Sequence, residues 1–212
     1  MARFITFEGG EGAGKSSHIA RLAAALTGAG REVLCVREPG SSVVGEAIRR
    51  VLLDPAYASM ADRTEILLYE AARAQVVEEI IRPALDRGVT VLADRFYDST
   101  TAYQGYGRGL DIDSVRELNV LAVGGVVPDR TIVIDVPVEL GLERARRTNV
   151  PDRLEQESVA FHERVRQGFL AIAAAEPERV RVVDGTQNLH EVYAAVEAAV
   201  ADLFPELELP RG

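Results

Sequence analysis

Phe4-Ile5-Thr6-Phe7-Glu8-Gly9-Gly10-Glu11-Gly12-Ala13-Gly14-Lys15-Ser16-Ser17 is the stretch from which the fold is read. A short apolar run at 3–7 passes into glycines, and the glycines pass into a helical pattern at 15–29. From Gly9 to Ser16 the spacing is G-x-x-x-x-G-K-S/T. Glycines at these places let the main chain curl so that successive N–H groups point into an anion-sized hollow, and the helix behind adds its positive end. Gly9, Gly10, Glu11, Gly12, Ala13, Gly14, Lys15, Ser16 and Ser17 are therefore expected to cradle the phosphates of a nucleoside triphosphate. Lys15 would reach the β and γ groups, and the Ser16 hydroxyl would ligate Mg²⁺. The alternative is a glycine-rich turn that binds nothing; the strand before it and the helix after it argue against that.

Outward from this stretch, brief Val- and Ile-rich runs at 32–36, 89–93, 130–136 and 180–183 read as further buried strands. Helical patterns at 44–53, 62–87, 112–123, 139–147, 155–175 and 189–203 separate them. Strand and helix alternating throughout predict an α/β fold of three layers, a five-stranded parallel sheet flanked by helices on both faces. No repeat or linker interrupts the 212 residues, so one domain spanning 1–212 is expected, with a short lid near 144–154 and a loose tail at 205–212. Ligands of such sheets gather beyond the carboxyl ends of the strands.

Composition narrows the classes. A formal net charge of −9 disfavours a protein that coats nucleic acid, which needs cationic side chains crowded on one face. Cys35 is the single cysteine, so no intrachain disulfide can form and a reducing compartment is the simplest home. No run approaches the ~20 apolar residues of a membrane span, and the opening residues lack a signal-peptide pattern, so a soluble cytoplasmic protein is expected. Among 24 cationic residues Lys15 is the sole lysine. A guanine-reading Asn-Lys-x-Asp segment therefore cannot exist, and the acceptor of the triphosphate must be sought after the other strands.

Two strand ends pair a carboxylate with a guanidinium: Arg37-Glu38-Pro39-Gly40 and Asp94-Arg95-Phe96. Asp94 follows an apolar run, as suits a carboxylate holding the water shell of Mg²⁺, and Arg95 suits a phosphate. Each dipeptide alone also fits an ordinary surface ion pair. Tyr69 and Arg73 lie four apart on a helical stripe with Ile66, Val76, Val77 and Ile80, which fits either a flat heterocycle with a carbonyl edge or a snorkelling arginine beside a core tyrosine. Arg49 is equally open. The stretch 99–105 is a polar loop or helix start. Arg144, Arg146, Arg147 and Arg153 surround Thr148-Asn149-Val150-Pro151-Asp152, a break between two helices. Such a basic segment closes over a triphosphate in some sites, yet Arg147 also fits a pair with Glu143 on a solvated face. Cys35, His18, His162 and His190 form no metal or nucleophile pattern.

Together these residues resemble the thymidylate kinase family over nearly the whole chain, from Phe4 to about Thr186. The marks are Phe7-Glu8-Gly9 leading into the P-loop, Arg37-Glu38-Pro39-Gly40, Ala71-Ala72-Arg73, Asp94-Arg95, Ala102-Tyr103-Gln104-Gly105 and Asp152-Arg153-Leu154-Glu155. The resemblance implies a P-loop kinase that transfers the γ-phosphoryl of ATP to dTMP with Mg²⁺, acting as a homodimer. It implies that Arg73 and Gln104 hydrogen-bond the thymine, with Tyr69 where the family commonly stacks a phenylalanine. Tyr103 would lie under the deoxyribose and crowd a 2′-hydroxyl, and Glu11 would approach the 3′-hydroxyl. Arg49 and Arg95 would hold the dTMP phosphate, while Glu38 and Asp94 organise arginines, water and Mg²⁺. Glu11-Gly12-Ala13 contains no arginine, so the catalytic arginine is expected in the lid, at Arg146, Arg147 or Arg153, alongside Lys15 and Arg95. The lid reads Arg146-Arg147-Thr148 where relatives can alternate Arg-Ala-Arg, and Ser41-Ser42 stands where Gly-Thr is usual.

Two other readings remain open on sequence: a kinase for another nucleoside monophosphate or a deoxynucleoside, and a non-catalytic nucleotide-binding switch. The first is told apart by the acceptor that stimulates ADP release, the second by tight ATP binding without turnover.

Overall fold

The computed structural model describes residues 1–147, 151–205 and 207. The helix break expected at 148–150 and most of the tail expected at 205–212 lie outside the described residues. β1 (Phe4–Glu8), β2 (Val33–Arg37), β3 (Thr90–Asp94), β4 (Arg130–Asp135) and β5 (Val180–Asp184) form one sheet in the order β2-β3-β1-β4-β5, with every pairing parallel. β1 is therefore central, and the P-loop that follows it opens between β3 and β4. β1, β2, β3 and β5 reach one residue beyond the expected runs, to Glu8, Arg37, Asp94 and Asp184, while β4 stops one short, at Asp135. Register sets Arg37 and Phe7 on either side of Asp94, which lines charge along one edge.

Nine helices flank the sheet among the described residues: α1 (Lys15–Gly28), α2 (Val43–Leu53), α3 (Asp62–Val76), α4 (Arg82–Asp86), α5 (Tyr97–Thr100), α6 (Ile112–Val123), α7 (Val138–Arg146), α8 (Val159–Ala175) and α9 (Leu189–Val200). Alternation along the strands divides the core. Ile5, Phe7, Leu92, Ile132, Ile134 and Val183 pack against Leu22 and Leu26 of α1 and Val192 and Val196 of α9. The opposite face carries Phe4, Val91 and Ala93 under Val76 and Phe96, and Val133 and Val180 under Phe161, Val165 and Phe169 of α8.

The helix expected over 62–87 runs on, but not uniformly. Between α3 and α4 the chain widens into a π-helical turn, Val77–Ile81, in which Arg82 N–H donates to the Val77 carbonyl. Pro83 follows at once; it has no N–H to give and its ring crowds the carbonyl four residues back, and the wider turn accommodates both. The stretch 99–105 is buried helix rather than loop: α5 continues into a π-helical segment, Thr101–Gly107. α8 begins at Val159 instead of 155, because the Ser158 hydroxyl accepts from Phe161 N–H and caps it there. Ser42 caps α2 in the same way, through Gly45 N–H. Ser41 takes the left-handed conformation, φ 65°, at the place where the family pattern has glycine, and its hydroxyl and N–H bond Arg37 and Glu46. No helix of the described residues is long and apolar enough to cross a membrane.

Candidate active site

The P-loop curls as its glycines require. Gly14, at φ 87°, turns the chain into α1 in a conformation that a side chain would strain. Lys15 is buried and its ammonium donates to the carbonyls of Gly9 (3.2 Å) and Gly10 (3.0 Å), folded over the hollow. Burial and the neighbouring Arg95 push its pKa down, against Asp94, Glu11 and Glu8, which pull it up. Ser16 Oγ donates to Asp94 Oδ2 at 2.8 Å, so the two groups expected to serve a divalent ion meet across the β1–β3 edge. Among the described residues no three His, Cys, Asp or Glu side chains converge on a metal position. One hydroxyl and one carboxylate suit an ion that keeps waters and takes phosphate oxygens, which is how Mg²⁺ is usually held.

Arg95 lines the cleft beside the P-loop. Its Nη1 donates to Gly9 O (3.0 Å) and Ser99 Oγ (3.1 Å), and its Nη2 to Glu11 Oε1 (2.9 Å) and Tyr103 OH (3.1 Å). The Tyr103 hydroxyl donates to the same Glu11 oxygen at 2.5 Å. Burial works against ionisation of Glu11, but Arg95, Lys15 and the Tyr103 bond outweigh it and hold the pKa down at about 2. Beneath them lies Glu8, fully buried, which accepts from Phe96 N–H (2.7 Å) and from the Ser99 hydroxyl (2.5 Å). Burial and the charge of Asp98 push its pKa up to about 8, against Ser99, Arg95 and Phe96.

At the far end of the cleft Arg73 is almost wholly enclosed. Nε donates to Glu38 Oε2 (2.8 Å), Nη1 to Glu70 Oε1 (2.7 Å) and Asn119 Oδ1 (3.4 Å), and Nη2 to the Phe96 carbonyl (3.2 Å). Glu38 has a second oxygen that is buried without a partner, and burial pushes its pKa up to about 7 despite Arg73. Gln104 Nε2 donates to Glu65 Oε1 (2.9 Å). Tyr69, Arg73, Gln104, Arg49, Glu38, Arg95 and Tyr103 line one cleft with the P-loop residues 11–17. Arg49 Nη1 donates to the Pro39 carbonyl at 2.9 Å.

The arginines of the segment expected to form a lid are placed apart from one another. Arg146 is exposed on α7, and Arg147 is exposed and paired with Glu143 one turn back. Arg153 is buried away from the P-loop: Nε donates to Leu52 O (2.7 Å), Nη1 pairs with Glu65 (2.6 Å), and Nη2 has no partner. Arg144 instead lines the cleft beside the P-loop and donates from Nη1 to the Gly185 carbonyl at 3.0 Å. Of the four arginines at 144–153, Arg144 is the one among the cleft-lining residues, although the sequence sets it apart from its neighbours in no way.

The thymidylate kinase family model matches residues 7–196. The chain belongs to the thymidylate kinase family. It is 50% identical to a thymidylate kinase of Geobacter sulfurreducens, with 96% of this chain and 97% of that protein covered. It is 52% identical to one from Alcanivorax borkumensis, with 95% and 97% covered. Its fold superposes on the crystal structure of the Ehrlichia chaffeensis thymidylate kinase with a TM-score of 0.76 at 33% identity, covering 94% of this chain and 98% of that one. The chain is thus an ATP-dependent nucleoside monophosphate kinase, a phosphotransferase.

For a thymidylate kinase, the sequence reading missed the carboxylates behind the cleft. Glu8 had a signal, a lone acid closing a buried strand, but no partner to give it a role. Glu65 had less: it sits beside Ile66 and one turn before Tyr69 on the buried stripe of α3. Asp98, which holds Arg179 at 2.6 and 2.9 Å, is paired across 81 positions and carries no local pattern.

Proposed function

We propose that this thymidylate kinase transfers the γ-phosphoryl group of ATP to dTMP, giving ADP and dTDP, with Mg²⁺ required. The observation that supports this reading is a single cleft of about 850 Å³ lined by P-loop residues together with Arg95, Arg73 and Gln104. A monophosphate gripped there faces the outermost phosphate of a triphosphate held by residues 9–17. Its second pKa lies near ~6, so the attacking oxygen is already largely anionic at neutral pH and no general base is needed. What the protein must supply is alignment and positive charge. Ser16 and Asp94 would hold Mg²⁺, which would supply positive charge against the triphosphate. Lys15 exchanges its two carbonyl contacts for phosphate oxygens. Arg95 and Arg49 hold the acceptor phosphate, Glu11 and Tyr103 orient Arg95, and the lid near 144–154 excludes water and brings arginine to the transferring group. Arg144 joins Arg146, Arg147 and Arg153 as a candidate for that role because it already borders the cleft. Thymine's carbonyl edge meets Arg73 and Gln104, with Tyr69 beside it.

We further propose a cytoplasmic homodimer formed through α2, α3 and α6, whose Val44, Val51, Leu67, Val120 and Leu121 are exposed apolar side chains. Sedimentation of the pure protein tests the dimer. The activity is tested by ADP release from ATP with a panel of nucleoside monophosphates and nucleosides, using wild type and Lys15→Ala. The expected result is strongest stimulation by dTMP, weaker by dUMP, and a loss of about 10²-fold or more in the variant. Stimulation by a nucleoside above any monophosphate, or none by any acceptor, would overturn it.

A further inference from the structure

We propose that Glu65 sets the hydrogen-bond polarity of the base pocket, so that the enzyme selects a base presenting an N–H beside a carbonyl. The proposal rests on the reading that Arg73 and Gln104 contact the base. Glu65 is 1% exposed and every bond to it comes from a donor. Oε1 accepts from Gln104 Nε2 (2.9 Å) and Arg108 Nε (3.1 Å); Oε2 accepts from Arg108 Nη2 (3.0 Å) and pairs with Arg153 Nη1 (2.6 Å). Burial opposes its ionisation, but the Arg108 and Gln104 bonds and the charges of Arg108 and Arg153 hold its pKa below the ordinary carboxylate value. An ionised carboxylate only accepts.

A free glutamine amide is symmetric in shape and can turn either end to a ligand. Here it cannot. Turning Gln104 over would set its oxygen against a carboxylate oxygen, breaking a buried charge-assisted bond and adding repulsion. The NH₂ group therefore stays toward Glu65, and Oε1 is the atom left for the cleft. Arg73 is fixed from the other side. Glu38, Glu70, Asn119 and the Phe96 carbonyl take four of its five N–H groups, leaving one Nη2 hydrogen. The pocket thus sets a donor from Arg73 beside an acceptor from Gln104. Thymine and uracil answer with a carbonyl oxygen and N3–H. Cytosine offers an amino group and a bare N3, mismatched at both places. Glu65 acts through Gln104 and is a positioning residue.

The test compares kcat/KM for dTMP and dCMP in wild type, Glu65→Gln and Gln104→Ala. A facing glutamine accepts either end of the Gln104 amide, so Glu65→Gln is expected to lower the dTMP-to-dCMP ratio by roughly 10- to 100-fold, the scale of one mismatched buried group. The change should lie in KM for the monophosphates, with KM for ATP unaltered, a split that general loosening of the fold would not produce. Arg73 still opposes the amino group, so the ratio stays above unity. Should Glu65→Gln fail to fold because Arg108 and Arg153 lose their counter-charge, Glu65→Gln with Arg108→Gln keeps the net charge and is read in the same way. A ratio within twofold of wild type, while Gln104→Ala loses dTMP efficiency, overturns the role of Glu65 and leaves the base contact standing. A ratio unchanged in Gln104→Ala as well overturns the base contact and the proposal with it.

Discussion

Arg95 combines two demands at a single residue: its guanidinium reaches four acceptors while its backbone sits at φ 71°. That conformation costs a non-glycine residue about 1–2 kcal/mol and persists here because Arg95 N–H bonds Phe7 O (2.9 Å) and Phe96 N–H bonds Glu8. Arg95→Gly is therefore expected to be more stable than Arg95→Ala by about 1 kcal/mol, both being inactive. Urea unfolding of the pair decides this, and an alanine variant as stable as the glycine one would refute the strain. Tyr103 is the second test. Its hydroxyl joins Glu11 to Arg95, so Tyr103→Phe should lower kcat/KM for dTMP about 10-fold while still rejecting the ribonucleotide, and Tyr103→Ala should lose both. Equal discrimination in the two variants would contradict the steric account. Asp94, Arg95 and Glu38 were visible in the sequence because a charge at the end of an apolar run is anomalous. The strained backbone of Arg95 was not, since it is imposed by Glu8 and Phe7 from a strand some ninety positions away.

Among the elements, the P-loop and α7 approach backbone to backbone. A Cβ on Gly12 would collide with the Gly141 carbonyl, and one on Gly141 with the Glu11 carbonyl. Gly141→Ala should push α7 and Arg144 off the cradle, costing about 1–3 kcal/mol of stability and raising KM for ATP. Unchanged ATP kinetics would show that α7 does not brace the loop. Helix identity was legible from the 3.6-residue period, and so was the P-loop. The roles of the arginines at 144–153 were not: all four fit closure on sequence, and the buried face of α7, through Val138, Leu142 and Ala145, sets which of Arg144, Arg146 and Arg147 turn outward. The stretch 99–105 stayed open between loop and helix start because its polar side chains carry no helical stripe; Gly105 and Gly107 serve close contact with Ile112 and Phe161 in the π-helical segment.

At the scale of the whole molecule the alternation of strand and helix gave the five-stranded parallel sheet, since crossover handedness leaves few other solutions. The polar network threaded through it could not be foreseen, because it joins residues from separate strands and helices. It has two consequences. Asp98 is buried and has the half-buried Arg179 as its ion partner, so Arg179→Met leaves a buried carboxylate without its counter-charge and should cost about 3 kcal/mol in urea unfolding. Glu8 has a folded pKa of about 8 against an ordinary 4.5. Its stabilising contribution is complete below pH 4.5 and is lost as pH rises toward 8, at up to ~1.4 kcal/mol per unit, because the unfolded chain releases the proton first. Wild type should therefore lose stability relative to Glu8→Gln between pH 5 and 8, and parallel curves would contradict this.

The most direct measurement is a crystal structure with dTMP and a non-hydrolysable ATP analogue bound together. The account predicts the triphosphate wrapped by residues 9–17, thymine against Arg73 and Gln104, and the monophosphate on Arg95 with its oxygen in line with the terminal phosphorus at about 3–3.5 Å. A monophosphate seated elsewhere, or a base turned away from Arg73 and Gln104, would contradict it.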